Sequence, residues 1–179
     1  MKTAKKSDPI RLRNNARVSD RQVIQEIVKS TKFFNEQEIN VAVELINEWF
    51  DKGEASGYYF LFAEKNDKTV GYSCYGPIPG TVASYDLYWI AVHNTYRGKG
   101  IGKKLLEATE QVIQKMGGQR IYVETSSRPQ YTPTRGFYQK CHYKMEAVLQ
   151  DFYAPADSKC IFVKEIWAFL PRVGFDQLD

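Results

Sequence analysis

The stretch Arg97-Gly98-Lys99-Gly100-Ile101-Gly102 joins a β-rich run to an amphipathic helix in this chain of 179 residues. Tyr85–Val92 predicts a strand before it, and Lys103–Ile113 predicts a helix after it. A strand that turns through glycines into a helix leaves unpaired backbone N–H groups at the positive end of the helix, where anions bind. The two cations of the stretch, with Lys103 behind them, add formal charge there. The stretch therefore predicts a site for a phosphate-bearing ligand.

Spacing excludes two familiar phosphate-binding loops. A P-loop needs serine or threonine after Gly-Lys, but Lys104 follows Gly102-Lys103. The dinucleotide fingerprint G-x-G-x-x-G fails because neither possible register places a third glycine. The pattern that does fit is Arg-x-x-Gly-x-Gly, formed by Arg97, Gly100 and Gly102. It resembles the loop that holds the pyrophosphate of coenzyme A in the GNAT acyltransferases.

The order of the predicted elements is that of a mixed α/β chain. Strands are predicted at residues 10–13, 58–64, 69–75, 85–92, 120–125, 143–153 and 160–169. Helices are predicted after an N-cap at Ser19-Asp20, at about 36–51, at 103–113, and at 133–140 with Thr132 as N-cap. The strands on either side of the third helix should pair in parallel, since a strand–helix–strand unit requires a crossover.

This order is similar to that of GNAT domains. The resemblance implies an α/β (mixed α+β) fold with a mixed central sheet of about seven strands and about four helices. We expect a single domain over residues 1–179, with loose tails at 1–8 and 171–179. The best match covers about 84–143. There the family's segment with a tyrosine and a nearby Gly-Phe resembles residues 134–143, although His142 stands where glycine is usual and Tyr131 where many members have asparagine.

The resemblance also implies roles for particular residues. Backbone groups of Ile90, Ala91 and Val92 would pair with the pantetheine amides and polarise the thioester oxygen. The residues from Arg97 to Lys103 would hold the pyrophosphate. Tyr138 would be the general acid that protonates the departing thiolate, which suits a phenol whose basicity is close to that of a thiol.

The general base has three candidates. Asp86 lies six residues before Val92, at the strand position of the glutamate base in histone-type members of the family. Regular alternation would place it on one face with Tyr88, Ile90 and Val92, where an apolar setting raises a carboxyl pKa. Glu124 is the rival on the neighbouring parallel strand, and His93 is a third candidate because its pKa suits proton transfer.

The acceptor is specified only by composition near the predicted site. An aromatic pocket would draw on Tyr75, Tyr85, Tyr88, Tyr131, Phe152 and Tyr153, with negative charge from Asp86, Glu124 and Asp151. Such a pocket suits a small cationic amine or an amino-acid-like acceptor. The alternative is that most of these aromatic side chains are packed core.

Composition narrows the class of protein. A net charge of +4 and the lack of a basic face interleaved with aromatics argue against a nucleic-acid partner. No apolar run is long enough for a membrane span or an export signal, and the three cysteines are scattered, so we expect a cytoplasmic protein. Cysteine and histidine spacing matches no metal site, so no metal cofactor is expected. The oligomeric state is left open between monomer and homodimer.

Taken together, the sequence predicts an acyl-CoA-dependent N-acyltransferase that uses acetyl-CoA as co-substrate. The predicted reaction is direct acetyl transfer in a ternary complex to a primary amine of a small-molecule or amino-acid-like acceptor. No activated nucleophile points to a covalent intermediate, since Cys141 has no evident activating partner. The alternatives are a noncatalytic acyl-CoA-binding or regulatory module on the same fold, an acetyltransferase for protein N-termini or lysines, and a nucleotide-binding protein.

Overall fold

The structure is a computed structural model that describes residues 9–167. The strands are β1 (Arg11–Arg13), β2 (Tyr59–Lys65), β3 (Lys68–Pro77), β4 (Ser84–Val92), β5 (Arg120–Ser126), β6 (Lys144–Ala154) and β7 (Asp157–Glu165). The α-helices are α1 (Asp20–Thr31), α2 (Glu36–Lys52), α3 (Ile101–Lys115) and α4 (Thr132–Lys140). The predicted tails at 1–8 and 171–179, and the end of the strand predicted at 160–169, lie outside the described residues.

The seven strands form one mixed sheet in the order β1-β2-β3-β4-β5-β7-β6. The β4–β5 pair is parallel and every other neighbouring pair is antiparallel. The predicted fold class, a mixed sheet of about seven strands with about four helices, is therefore confirmed. None of the helices within residues 9–167 combines the length and the apolar composition needed to cross a bilayer.

Two cores lie on opposite faces of the sheet, because alternate residues of each strand point to opposite sides. On one face Leu105 and Leu106 of α3 pack with Tyr138 of α4. On the other face Ile24 of α1 and Ile46 of α2 pack against the sheet. The sheet is thus the middle of three layers.

The parallel pair separates soon after it begins. Ser84, Tyr85 and Asp86 pair with Arg120, Ile121 and Tyr122, and no further residue of β4 pairs with β5. The other edge of β4 stays paired with β3 as far as Val92. The two strands therefore diverge, and the divergence begins six residues before β4 ends.

A β-bulge in β4 changes which residues share a face. Leu87 pairs with Tyr75 and Trp89 pairs with Cys74, so Tyr88 is an extra residue on β4. Before the bulge Leu87 packs into the core beneath α3, whereas after it Ala91 packs into the core beneath α1 and α2. The prediction that Asp86 shares a face with Ile90 and Val92 is wrong, because the extra residue reverses the alternation between them.

Two predicted helix caps also differ from the structure. Ser19 makes no side-chain cap, since its backbone is helical at φ −62° and ψ −20° rather than extended as a capping residue requires. The Asp20 carboxylate accepts the Arg17 N–H at 2.7 Å and also pairs with Arg13. Thr132 lies inside α4 and does not cap it, because a 3-10 turn over Pro129–Tyr131 already leads into the helix. The cap of α2 is a capping box between Asn35 and Glu38.

A cluster of ion pairs around the buried carboxylate of Glu64 connects the first strand to the sheet. Glu64 on β2 is almost fully buried and lies within 3.0 Å of guanidinium nitrogens of Arg11, Arg13 and Arg17. Burial alone would raise the pKa of Glu64, but hydrogen bonds from Arg13 and Arg11 lower it below its ordinary value. We name these four residues the Glu64 cluster.

Candidate active site

A cavity of about 680 Å³ lies where β4 and β5 diverge. It is lined on the β4 side by Tyr88–Val92 and on the β5 side by Glu124–Ser126. Helix α4 contributes Thr134 and Tyr138, and the end of β6 contributes Tyr153 and Ala154. Of the residues predicted for the site, the cavity brings together Ile90, Ala91, Val92, Arg97, Glu124 and Tyr138.

The β4 wall presents backbone groups. Because β5 has moved away, the N–H and C=O groups of β4 that point toward β5 have no strand partner beyond Asp86. Ile90 and Val92 turn their side chains into the core beneath α3, so the strand can be approached edge-on. Such an open edge fits an extended chain that carries amide groups, as pantetheine does.

The glycine turn lies at the end of this wall. Gly98 and Gly100 have φ values of +72° and +77°, which side chains disfavour, and nothing lies within 4 Å of where a Cβ would stand. The backbone therefore leaves room for a ligand in front of the first turn of α3. Arg97 lines the cavity with its guanidinium carbon 5.1 Å from the Phe33 ring, while Lys103 and Lys99 are exposed nearby.

Tyr138 faces the cavity from α4. It is 4% exposed and packs against the rings of Phe137, Tyr143 and Phe162, with centroids within 6.0 Å. Burial, and to a smaller degree the neighbouring Cys141, raises the pKa of the Tyr138 phenol. A phenol in this setting keeps its proton at neutral pH and can act only as a donor in proton transfer.

Asp86 does not line the cavity. It is the last residue of β4 that pairs with β5, where it lies opposite Tyr122. Burial raises the pKa of Asp86 to about 6, with a second contribution from Glu124 that Lys159 partly offsets. Glu124 shares that face of the sheet, lines the cavity, and is held by Lys159 at 2.7 Å. The two carboxylates are thus neighbours in different environments, and burial brings the pKa of Asp86 to about 6, close to neutral pH.

The aromatic residues predicted to line an acceptor pocket divide into two groups. Tyr88, Tyr131 and Tyr153 line the cavity. Tyr75 and Tyr85 are buried in the core on the α3 face, as the packed-core alternative had it. Phe152 and Asp151 are exposed on β6 and do not line the cavity, although Phe152 covers the ammonium of Lys159 at 3.8 Å.

The sequence did not predict that the segment from Thr31 to Glu38, which connects α1 to α2, lines the cavity. We call this segment the roof. Phe33 lies 6.0 Å from the Tyr131 ring, and Phe34 lies 4.8 Å from the Trp89 ring. The Gln130 amide donates to the Phe33 carbonyl at 3.3 Å. Adjacent aromatics before an Asn cap were the available signal, but nothing local connects them to Trp89, 55 residues beyond Phe34, or to Tyr131, 98 residues beyond Phe33.

Other candidates lie away from the cavity. His93 caps a short turn through Nδ1, which lies 3.0 Å from the Thr95 hydroxyl, and it does not line the cavity. The glycine-loop residues Gly98–Lys103 lie beside the cavity rather than in its lining. Cys141 is buried, and burial raises the pKa of its thiol, which disfavours a nucleophilic role.

Comparison with known proteins agrees with this geometry. The sequence profile described as the acetyltransferase (GNAT) family matches residues 21–143. The chain belongs to the GNAT family. A GNAT-family protein from Desulfovibrio desulfuricans is 39% identical, with a TM-score of 0.87 over 89% of this chain and 100% of that one. The family places the chain among the acyl-CoA-dependent N-acetyltransferases.

More distant GNAT structures share the fold. An aminoglycoside 6'-N-acetyltransferase complexed with coenzyme A is 18% identical with a TM-score of 0.70, covering 88% of this chain and 97% of that one. The PaiA N-acetyltransferase of Thermoplasma acidophilum, also with coenzyme A, is 21% identical with a TM-score of 0.67, covering 88% and 99%. No curated protein matches the sequence. One of these relatives is named for an aminoglycoside acceptor and the other two names give no acceptor, so the family does not fix the acceptor.

Proposed function

We propose that this protein transfers the acetyl group of acetyl-CoA directly to a primary amine of a small-molecule or amino-acid-like acceptor in a ternary complex. The observation that carries the proposal is the cavity between the diverged strands, which has an open backbone edge, a glycine turn and Tyr138 on its walls. Acetyl-CoA supplies an activated acyl thioester. The protein supplies binding, orientation and proton transfer.

Binding falls to the β4 edge and to the start of α3. Backbone groups of Ile90, Ala91 and Val92 would hold the pantetheine arm and polarise the thioester oxygen. The N–H groups of the turn from Gly98 to Gly102, with Arg97, Lys99 and Lys103, would hold the pyrophosphate. The structural support is the open edge of β4 and the two glycines with positive φ.

Proton transfer falls to Asp86 and Tyr138. With a pKa of about 6, Asp86 is ionised at pH 7 and above and accepts a proton from the acceptor ammonium, through water since it stands outside the cavity lining. The Tyr138 hydroxyl donates its proton to the departing sulfur. Glu124 is the second candidate for the base, but its ion pair with Lys159 makes it the weaker one.

Release of free coenzyme A from acetyl-CoA, measured across a panel of amines, amino acids and peptides, tests the proposal. We expect release that depends on a small primary amine. Release with protein N-termini or lysine peptides alone would replace the small-molecule acceptor with a protein one. Thermal stabilisation by acetyl-CoA without release for any acceptor would instead indicate a binding module.

A further inference from the structure

Two ion pairs lie beside the cavity wall that β5 and β7 form. They differ in whether the cationic side chain keeps hydrogen-bond donors for a ligand. Lys159 is 13% exposed, and its ammonium lies 2.7 Å from Glu124 and 3.8 Å from the centre of the Phe152 ring. Arg128 contacts Asp157 at 3.1 Å, and its own side chain is 44% exposed. Both Arg128 and Asp157 line the cavity.

The contacts that hold the Arg128 guanidinium in place are made by its Nε atom. Its Nε lies 3.1 Å from Asp157 Oδ2 and donates to Ser126 Oγ at 3.2 Å. Ser126 and Asp157 are buried and hydrogen bonded to each other, so this anchor is fixed. Within residues 9–167 the ion pair with Asp157 and the hydrogen bond to Ser126 both use Nε, and the Tyr131 phenol is a further neighbour of the guanidinium, so no carboxylate is hydrogen bonded to the Nη atoms.

The turn that carries Arg128 is braced from two sides. Arg135 on α4 donates to the backbone carbonyls of Ser126 and Arg128 at 2.8 and 3.1 Å. The buried Tyr131 ring lies 5.5 Å from the guanidinium carbon of Arg128. A fork whose position is fixed in this way loses little conformational entropy when it binds a ligand.

The carboxylates that line the cavity are already occupied. Glu124 and Asp157 are in the ion pairs just described, and Glu38 accepts the Asn35 N–H at 2.8 Å in the capping box. A second cationic group on the acceptor would have to share a carboxylate that already has a partner, whereas an anionic group meets the planar fork of Arg128, whose Nη atoms are hydrogen bonded to no carboxylate. Asp157 behind that fork disfavours a doubly charged phosphate and leaves a carboxylate as the matching group.

We infer that Arg128 binds a carboxylate of the acceptor, so that the substrate class is amines that also carry a carboxylate, such as amino acids. This inference rests on the proposed acetyl transfer. It makes Arg128 a specificity-determining residue, since the bidentate pair orients the acceptor with its amine toward the β4 edge.

The test compares each acceptor acid with its primary amide, which has the same shape but no charge. Coenzyme A release is measured for α-amino acids and for ω-amino acids of increasing length, so that the preferred spacing between amine and carboxylate emerges. For the preferred spacing we expect kcat/KM of the acid to exceed that of the amide by roughly 10- to 100-fold, the range of a charge-assisted bidentate pair. In Arg128→Gln this ratio falls toward one, mainly through the KM of the acid.

Arg120→Gln is the matched control, because Arg120 forms an exposed ion pair with Glu165 on strands that lie outside the cavity lining there. It should keep the wild-type ratio. Arg128→Lys keeps the charge without the fork and should restore only part of the preference. A ratio near one in the wild type, or a ratio that survives in Arg128→Gln, overturns the inference while leaving acetyl transfer intact.

Calorimetric binding of the acids to the protein with coenzyme A separates the inference from the proposed function. Binding that requires Arg128 but gives no turnover supports the carboxylate site and overturns acetyl transfer. Neither binding nor turnover with any acid overturns both. Thermal midpoints of the variants confirm that each remains folded under the assay conditions.

Discussion

Tyr138 and Tyr143 are neighbouring buried tyrosines with ring centroids 5.5 Å apart, yet only Tyr138 lines the cavity. Tyr143 instead lies beside the ammonium of Lys164, at 5.5 Å. The pair allows the same chemical change, removal of one hydroxyl, to be made inside and outside the site.

Tyr138→Phe should lower kcat about 100-fold and leave the KM for acetyl-CoA nearly unchanged, since loss of a general acid affects proton transfer rather than binding. Steady-state kinetics of coenzyme A release measure both constants. Tyr143→Phe, the control, should retain the wild-type kcat. Equal losses in the two variants would point to altered packing and would remove Tyr138 from the mechanism.

Asp86 should give the reaction an acidic limb. Because its pKa is about 6 and the carboxylate is the active form, kcat/KM should rise with pH through about 6 and then level off. In Glu124→Gln the inflection should move to lower pH, because a neighbouring negative charge that raises the pKa of Asp86 is gone. An inflection that persists unchanged in Asp86→Asn would assign the limb to another group.

The ionised carboxylate of Asp86 should lower the free energy of unfolding at pH values above its pKa. Unfolded Asp86 ionises near 3.8 and folded Asp86 near 6, so between these values the folded state holds more protons and its stability falls as pH rises. After allowance for solvent screening, Asp86→Asn should raise the free energy of unfolding at pH 8 by about 1 kcal/mol, with no gain at pH 3. Urea unfolding at the two pH values measures the difference.

At the scale of single elements, the glycine turn before α3 and the glycine inside α4 make a matched pair. Neither Gly100 nor Gly136 has any atom within 4 Å of its would-be Cβ, but only Gly100 has a positive φ. Gly136→Ala should stabilise the protein by about 0.5–1 kcal/mol, and Gly100→Ala should destabilise it by about 1 kcal/mol. Chemical denaturation measures both changes.

Acetyl-CoA binding gives a second measurement on the same pair. Gly100→Ala should raise the dissociation constant, because the turn that would hold the pyrophosphate changes its backbone conformation. Gly136→Ala should bind as the wild type does. A Gly100→Ala variant with unchanged affinity would show that the turn is not part of the cofactor site.

Elements whose signals are local were predicted from the sequence, and features set by distant contacts were not. The strand, glycine turn and helix around Arg97–Gly102 follow from neighbouring residues, and the structure confirms them. The β4 bulge depends on how Cys74 and Tyr75 of β3 align with it, which no pattern within β4 encodes. Ser19 makes no cap because its backbone is already helical, a conformation that the residue type alone does not reveal.

The candidate site likewise contains residues that local motifs predict and residues that only distant contacts bring together. Ile90, Ala91, Val92 and Tyr138 were predicted as site residues because the family resemblance covers contiguous motifs, and all four line one cavity. The roof from Thr31 to Glu38 and the anchor of Arg128 by Asp157 join segments far apart in the chain. Those contacts exist only once the sheet has formed.

For the molecule as a whole, the Glu64 cluster separates stability from activity, because none of its four residues lines the large cavity. Glu64→Gln should lower the free energy of unfolding by about 1–2 kcal/mol, because it weakens the charge-assisted hydrogen bonds from Arg13 and Arg11 while Arg13 keeps its ion pair with Asp20. Since the folded pKa of Glu64 is lowered, its contribution is present above the unfolded value of about 4.5 and is lost as pH falls below it.

Thermal unfolding at pH 7 and at pH 3.5 should show a large difference between wild type and Glu64→Gln at the higher pH and a smaller one at the lower. Coenzyme A release at a temperature where both are folded should be equal. A variant that unfolds normally but loses turnover would connect this cluster to the cavity after all.

The open edge of β4 has a pharmacological consequence. On their β5 side, residues 87–92 have no strand partner, so a rigid extended molecule whose amides repeat at the spacing of a polypeptide can pair there as an additional strand. Such a peptidomimetic would compete with acetyl-CoA and not with the amine, because it would leave the wall around Arg128 uncovered. Selectivity among related enzymes would then come from whatever side groups it extends toward that wall.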